Sequence, residues 1–106
     1  MTQEKQMIVR DIAALKERML PKNGRLILFG SQARGDAGPE SDWDLLMLLN
    51  KESIEPSDFA RYAYPIVELG LLRGEYFRIK QYTFNEWSKR KGTPFYKNID
   101  KEGIEL

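Results

Sequence analysis

Two residue types are missing from this 106-residue chain altogether: it has no cysteine and no histidine. The first absence excludes a disulfide framework, thiolate zinc sites and a thiol nucleophile, and it fits a reducing compartment. With the second, Ser-His-Asp and Cys-His catalysis and every imidazole ligand are also excluded. Any metal chemistry must then rest on oxygen donors, which suit Mg²⁺ or Mn²⁺. Net charge is nearly missing as well. Seventeen basic residues stand against 16 acidic ones, so no global field draws the protein onto nucleic acid or an anionic membrane, and any charge-based function must be local. No apolar run approaches the roughly 20 residues of a membrane span, and Met1, Thr2, Gln3, Glu4 and Lys5 lack the apolar core of a signal peptide. A soluble cytoplasmic protein is the expectation. With 42% apolar residues the chain suffices for one compact domain, taken as residues 1–106, and is short for two.

What is present divides into helical and extended patterns. Met7, Ile8, Ile12, Leu15 and Met19 recur at helical spacing from Thr2 to about Leu20, where Pro21, Asn23 and Gly24 stop the helix. Leu26 to Phe29 is a short continuous apolar run, read as a strand buried on both faces. Gly30-Ser31 ends it, and residues 32–40 read as a brief helical turn and a loop. A second strand starts near Ser41-Asp42 and runs through Leu49, acidic at its entrance and apolar beyond. Pro56 and Ser57 open another helix, in which Pro65 should produce a kink or a division. Residues 76–82 alternate Phe77 and Ile79 with Arg78 and Lys80, the period of a third strand with one polar face. Thr83 and Glu86 have capping-box spacing, so a short helix follows, and Thr93-Pro94 can start a brief turn. The fold class is α/β: a small mixed sheet with helices packed on it.

The chemistry concentrates in Gly30-Ser31-Gln32-Ala33-Arg34-Gly35 and Ser41-Asp42-Trp43-Asp44, with ten residues between Ser31 and Asp42. Glycine at the end of a buried strand permits a sharp turn and a close approach to a ligand, and the amides that follow can meet a phosphate. Ser31 adds a hydroxyl. Alternate strand residues share a face, so Asp42 and Asp44 point the same way with Cα atoms roughly 6.5 Å apart, within reach of one hard cation. Trp43 faces the other side. Held between the pair and the Ser31 loop, a triphosphate would expose its α-phosphorus to a hydroxyl.

These two motifs resemble the signature of the polymerase-beta-like nucleotidyltransferase superfamily, and the chain is most similar to its minimal nucleotidyltransferases. The likeness is tight over about residues 26–49 and looser beyond. It implies transfer of a nucleoside monophosphate from a triphosphate, ATP or another, to a hydroxyl. Asp42 and Asp44 would be both the catalytic and the metal-binding pair, for Mg²⁺ or Mn²⁺. Gly30, Ser31, Arg34 and Ser41 would meet the phosphates, with Arg34 either bracing the loop or touching phosphate. A partner is implied too, either a HEPN-type helical protein, as in toxin and antitoxin pairs, or a second copy of the chain.

One feature departs from the family pattern. A third carboxylate commonly stands on the next strand, but residues 77–82 here read Phe-Arg-Ile-Lys-Gln-Tyr. Glu75 is the nearest acid, and by alternation it shares a face with Phe77 and Ile79. Arg78 and Lys80 can bind phosphate or neutralise the aspartates, and neither role supplies a general base. Two readings therefore compete: an active transferase, and a catalytically silent module that keeps the nucleotide or partner surface. Plain alternatives also stand for Arg34, as a loop residue paired with Asp36 or Glu40, and for Ser41, as a turn residue. No Walker loop follows Gly35, and no basic stripe interleaves the tyrosines.

Overall fold

The computed structural model describes residues 1–106. Helix α1 (Gln3–Met19) begins where the Thr2 hydroxyl accepts the Lys5 N–H at 3.2 Å, and it buries Ile8 and Ile12 against the sheet. That sheet has four strands in the order β3-β2-β1-β4, the last being the short Ile104–Glu105. Strand β2 (Trp43–Leu49) lies in the interior, antiparallel to β1 (Arg25–Phe29) and parallel to β3 (Phe77–Thr83). A parallel pair needs a crossover, which the helical stretch between residues 56 and 72 supplies. The mixed α/β architecture expected from the hydropathy pattern is the one observed.

Both faces of the sheet are covered, which is why β1 and β2 are almost uninterruptedly apolar. On one face Leu26, Leu28, Trp43, Leu45, Met47 and Phe77 pack with α1 and with Ala63 and Ile66 of the crossover. On the other, Ile27, Leu46 and Leu48 meet Trp87 of α5 (Phe84–Ser88) and Ile99 of α6 (Pro94–Glu102). Thr83 caps α5 in a reciprocal box: its hydroxyl accepts the Glu86 N–H at 3.0 Å, and the Glu86 carboxylate accepts the Thr83 N–H at 2.9 Å. Aromatic rings then tie α6 to β1. Trp87 stacks on Tyr96 at 4.9 Å and meets Phe95 edge-on, and Phe95 in turn meets Phe29 edge-on, both at 5.6 Å. Such pairs add about 0.5–1.5 kcal/mol each beyond burial, and they fix α6 beside the end of β1.

Strand β2 begins at Trp43, so Asp42 stands just before it and not inside it as the sequence suggested. Three further details refine the expectation, the first being the form that the expected division at Pro65 takes. Pro65 divides its helix through a π turn: after α3 (Pro56–Asp58), residues Phe59–Ala63 are π-helical, and the Tyr64 N–H reaches back to the Phe59 carbonyl before α4 (Tyr64–Leu72) resumes. The wider turn accommodates the missing proline N–H without breaking the helix. The brief turn expected at Thr93-Pro94 is a nine-residue helix, held by the aromatic cluster. Finally, Ile104–Glu105 forms a short fourth strand, β4, antiparallel to β1; two residues are too few to show a period. No helix is long and apolar enough to cross a membrane.

Candidate nucleotide and cation site

Asp44 occupies the second position of β2, paired laterally with Phe29 of β1 and Arg78 of β3. Cross-strand partners share a face, so these three side chains form one row at the end of the sheet. Directly beyond Phe29, Gly30 adopts φ 77° and ψ −160°, a region essentially restricted to glycine. A Cβ added there would lie 2.5 Å from Asp44 Oδ2. Gly30 is therefore required twice, for its backbone angle and for the carboxylate against it. After it, the short helix α2 (Ser31–Arg34) ends at Gly35 in the left-handed conformation.

Arg78 sits between the two aspartates. Its Nε donates to Asp44 Oδ1 at 2.9 Å and lies 3.4 Å from Asp42 Oδ2. The Asp44 hydrogen bond, aided by the charges of Asp44 and Asp42, raises the guanidinium pKa further above its already high value, so it stays cationic. Of the two roles open to Arg78, neutralising the aspartates is the one seen. The arginine side chain is 63% exposed while that of Asp44 is 19% exposed, so the cation reaches in from solvent and can swing away. The two carboxylates thus converge on one cationic nitrogen and fit a single hydrated divalent ion. No group of three acids that could hold a metal forms anywhere in the protein.

The remaining acids and bases near the strand have other occupations. Glu75 accepts the indole N–H of the buried Trp43 at 3.1 Å, on the face away from Asp44, and cannot replace a third carboxylate. Lys80 extends over the Phe95 ring, with Nζ 4.9 Å from its centroid. Phe29, Asp44, Arg78 and Lys80 together line a cleft of about 260 Å³.

On the loop side, the Gly30 N–H donates to Glu102 Oε1 at 3.3 Å, and Arg34 bonds the same carboxylate at 3.2 and 3.3 Å while also pairing with Asp36. Ser31 opens α2, and its carbonyl accepts the Gly35 and Asp36 N–H groups. The Ser41 hydroxyl accepts the Gly38 N–H at 2.8 Å and closes the loop as a turn residue does. Buried Gln32 donates to the Ser41 carbonyl at 3.1 Å and so ties α2 to the start of β2. Sequence reasoning overlooked Gln32, although a polar residue inside the glycine-serine motif was a usable signal. It also overlooked Glu102, for which no local signal exists, since 72 positions separate it from Gly30.

A comparison with curated proteins gives no match. Among solved structures, the chain is similar to a toxin-antitoxin crystallised with AMP-PNP, at 16% identity and a TM-score of 0.61, over 91% of this chain and 69% of that one. At that identity the likeness concerns the fold. The nucleotidyltransferase domain family matches residues 10–104, nearly the whole chain. The cluster of Gly30, Asp42 and Asp44 at the end of a mixed sheet is thus found in a chain that belongs to the nucleotidyltransferase domain family.

Proposed function

We propose that residues 1–106 act as one catalytic unit, which moves a nucleoside monophosphate from a nucleoside triphosphate, ATP or another, to a hydroxyl in the cytoplasm. The observation that carries this reading is the convergence of Asp42 and Asp44 on one cationic nitrogen directly over Gly30. In this reading the two aspartates hold a magnesium-class ion, while Gly30, Ser31, Arg34 and Ser41 meet the phosphates. When bound, such an ion neutralises polyphosphate charge and makes phosphorus more electrophilic.

The chain's own residues do the rest. Asp44, packed against the backbone of Gly30, fixes the distance between the carboxylate pair and the loop. Phe29, backed by Phe95 edge-on, supplies the apolar side of the cleft. Lys80 adds a cation near its mouth. No acid stands ready to take the proton of the acceptor hydroxyl. General-base help is typically worth about 10²–10⁴ in rate, so turnover should be slow by about that factor relative to a site with three acids. The acceptor is a partner protein, either a HEPN-type helical protein or a second copy of the chain. The resemblance to a toxin-antitoxin with AMP-PNP supports both a nucleotide and a protein partner.

The experiment is incubation with α-labelled ATP, Mg²⁺ and an all-helical protein encoded beside this chain. Label on the partner, lost when Asp42 and Asp44 are both replaced by alanine, supports transfer. Saturable nucleotide binding without transfer favours a catalytically silent module. That second reading is favoured by one observation, Arg78 at the register position opposite Asp44.

A further inference from the structure

The loop and α6 meet at one contact that the proposed chemistry does not use. Glu102, the last residue of α6, offers its carboxylate to the Gly30 N–H and to the Arg34 guanidinium. Both donors belong to the set that would meet phosphate. We infer that the Glu102 carboxylate holds the place of a phosphate group in the free protein, and that nucleotide or pyrophosphate binds there by displacing it. This inference rests on the proposed nucleotide reading and adds the regulation of its anion subsite.

Three features carry it. The donors are one backbone N–H and one guanidinium, a set that recognises phosphate and carboxylate alike. All three separations, 3.2 to 3.3 Å, are longer than the roughly 2.7–2.9 Å of a strong charge-assisted bond, so the contact is weak enough to be exchanged. The Glu102 side chain is also 21% exposed and can leave by rotation alone. The backbone just after it is held by the Gly103 N–H on the Ile99 carbonyl at 2.7 Å and the Leu106 N–H on the Leu26 carbonyl at 2.9 Å. Displacement therefore needs no unfolding of α6. The free site is then internally charge-balanced, with Arg78 at the cation position and Glu102 at the anion position.

The test is calorimetric titration of the full chain with inorganic tripolyphosphate, without divalent metal, using the natural protein, Glu102→Gln and Glu102→Ala. Thermal melting checks that both variants fold. Removal of the competing charge should tighten tripolyphosphate binding about threefold to tenfold, and the gain should vanish when Arg34 is also replaced by alanine. Weaker or unchanged affinity in both variants, or no tripolyphosphate binding by any of them, would overturn the inference. A brace without a phosphate role predicts weaker binding and a lower melting temperature. A second titration, with ATP in the presence of Mg²⁺, separates the two proposals. Tripolyphosphate tightened by Glu102→Gln while ATP binds no variant would sink the nucleotide reading and leave the assignment of Glu102 standing.

Discussion

Replacing Arg78 with alanine should tighten divalent-cation binding, although it removes a residue from the site. The guanidinium engages Asp44 at 2.9 Å and Asp42 at 3.4 Å, and a divalent ion has to displace it from both. In a low-dielectric interior such contacts would be worth many kcal/mol, but this side chain is 63% exposed, so each is valued as a screened surface pair of about 0.2–1 kcal/mol. Two of them amount to about 0.4–2 kcal/mol, or roughly twofold to thirtyfold in Kd at about 1.4 kcal/mol per decade. Removing the repulsion between a guanidinium and the incoming ion moves the value toward the upper end. Free Mn²⁺ measured by electron paramagnetic resonance during titration reads the effect directly. Lys80→Ala is the control, because its ammonium lies over Phe95 and pairs with neither aspartate. The gain from Arg78→Ala should shrink at high salt. If the variant binds Mn²⁺ no tighter than the natural protein, the aspartates are not a cation site masked by Arg78.

Two further outcomes follow from the geometry. Gly30→Ala should cost about 1–3 kcal/mol of backbone strain, lowering the melting temperature by about 4–8 °C per kcal/mol, and should weaken metal-nucleotide binding by pushing Asp44 aside; an unchanged melt would contradict the close packing at Gly30. Asp58 is buried, and its carboxyl is held below the usual carboxylate range, first by hydrogen bonds from Lys51 and then by one from the Glu55 N–H. A depressed folded pKa contributes stability above the ordinary carboxylate range and loses it as pH falls through that range to the depressed value. Urea unfolding from about pH 6 to pH 3 should therefore show a steeper acid decline for the natural protein than for Asp58→Asn, with the variant weaker by about 1–2 kcal/mol at neutral pH; parallel curves would refute this.

Most of the sheet was legible because β1 and β2 are buried on both faces, which leaves continuous apolar runs, and because Phe77 to Lys80 alternates cleanly. The faces were legible too: strand alternation put Trp43 opposite Asp44 and Glu75 on the side of Phe77, as the Trp43–Glu75 hydrogen bond shows. The length of α6 was hidden because its stability comes from Trp87, Phe95 and Tyr96 meeting across elements, while its own sequence opens with a turn signal. Glu102 was invisible for the same reason: its partners lie on a loop that only the folded chain brings near. The role of Arg78 was half legible. Its polar face followed from the alternation, but its contact with the aspartates needed the register that sets it beside Asp44.

The most direct test of the central claim is paramagnetic broadening of backbone amide signals by substoichiometric Mn²⁺ with ATP. The account predicts that Gly30, Ser31 and residues 42–45 lose intensity first, and that the losses disappear in Asp44→Asn. Broadening centred on any other surface, or none at saturating Mn²⁺ and ATP, would contradict it.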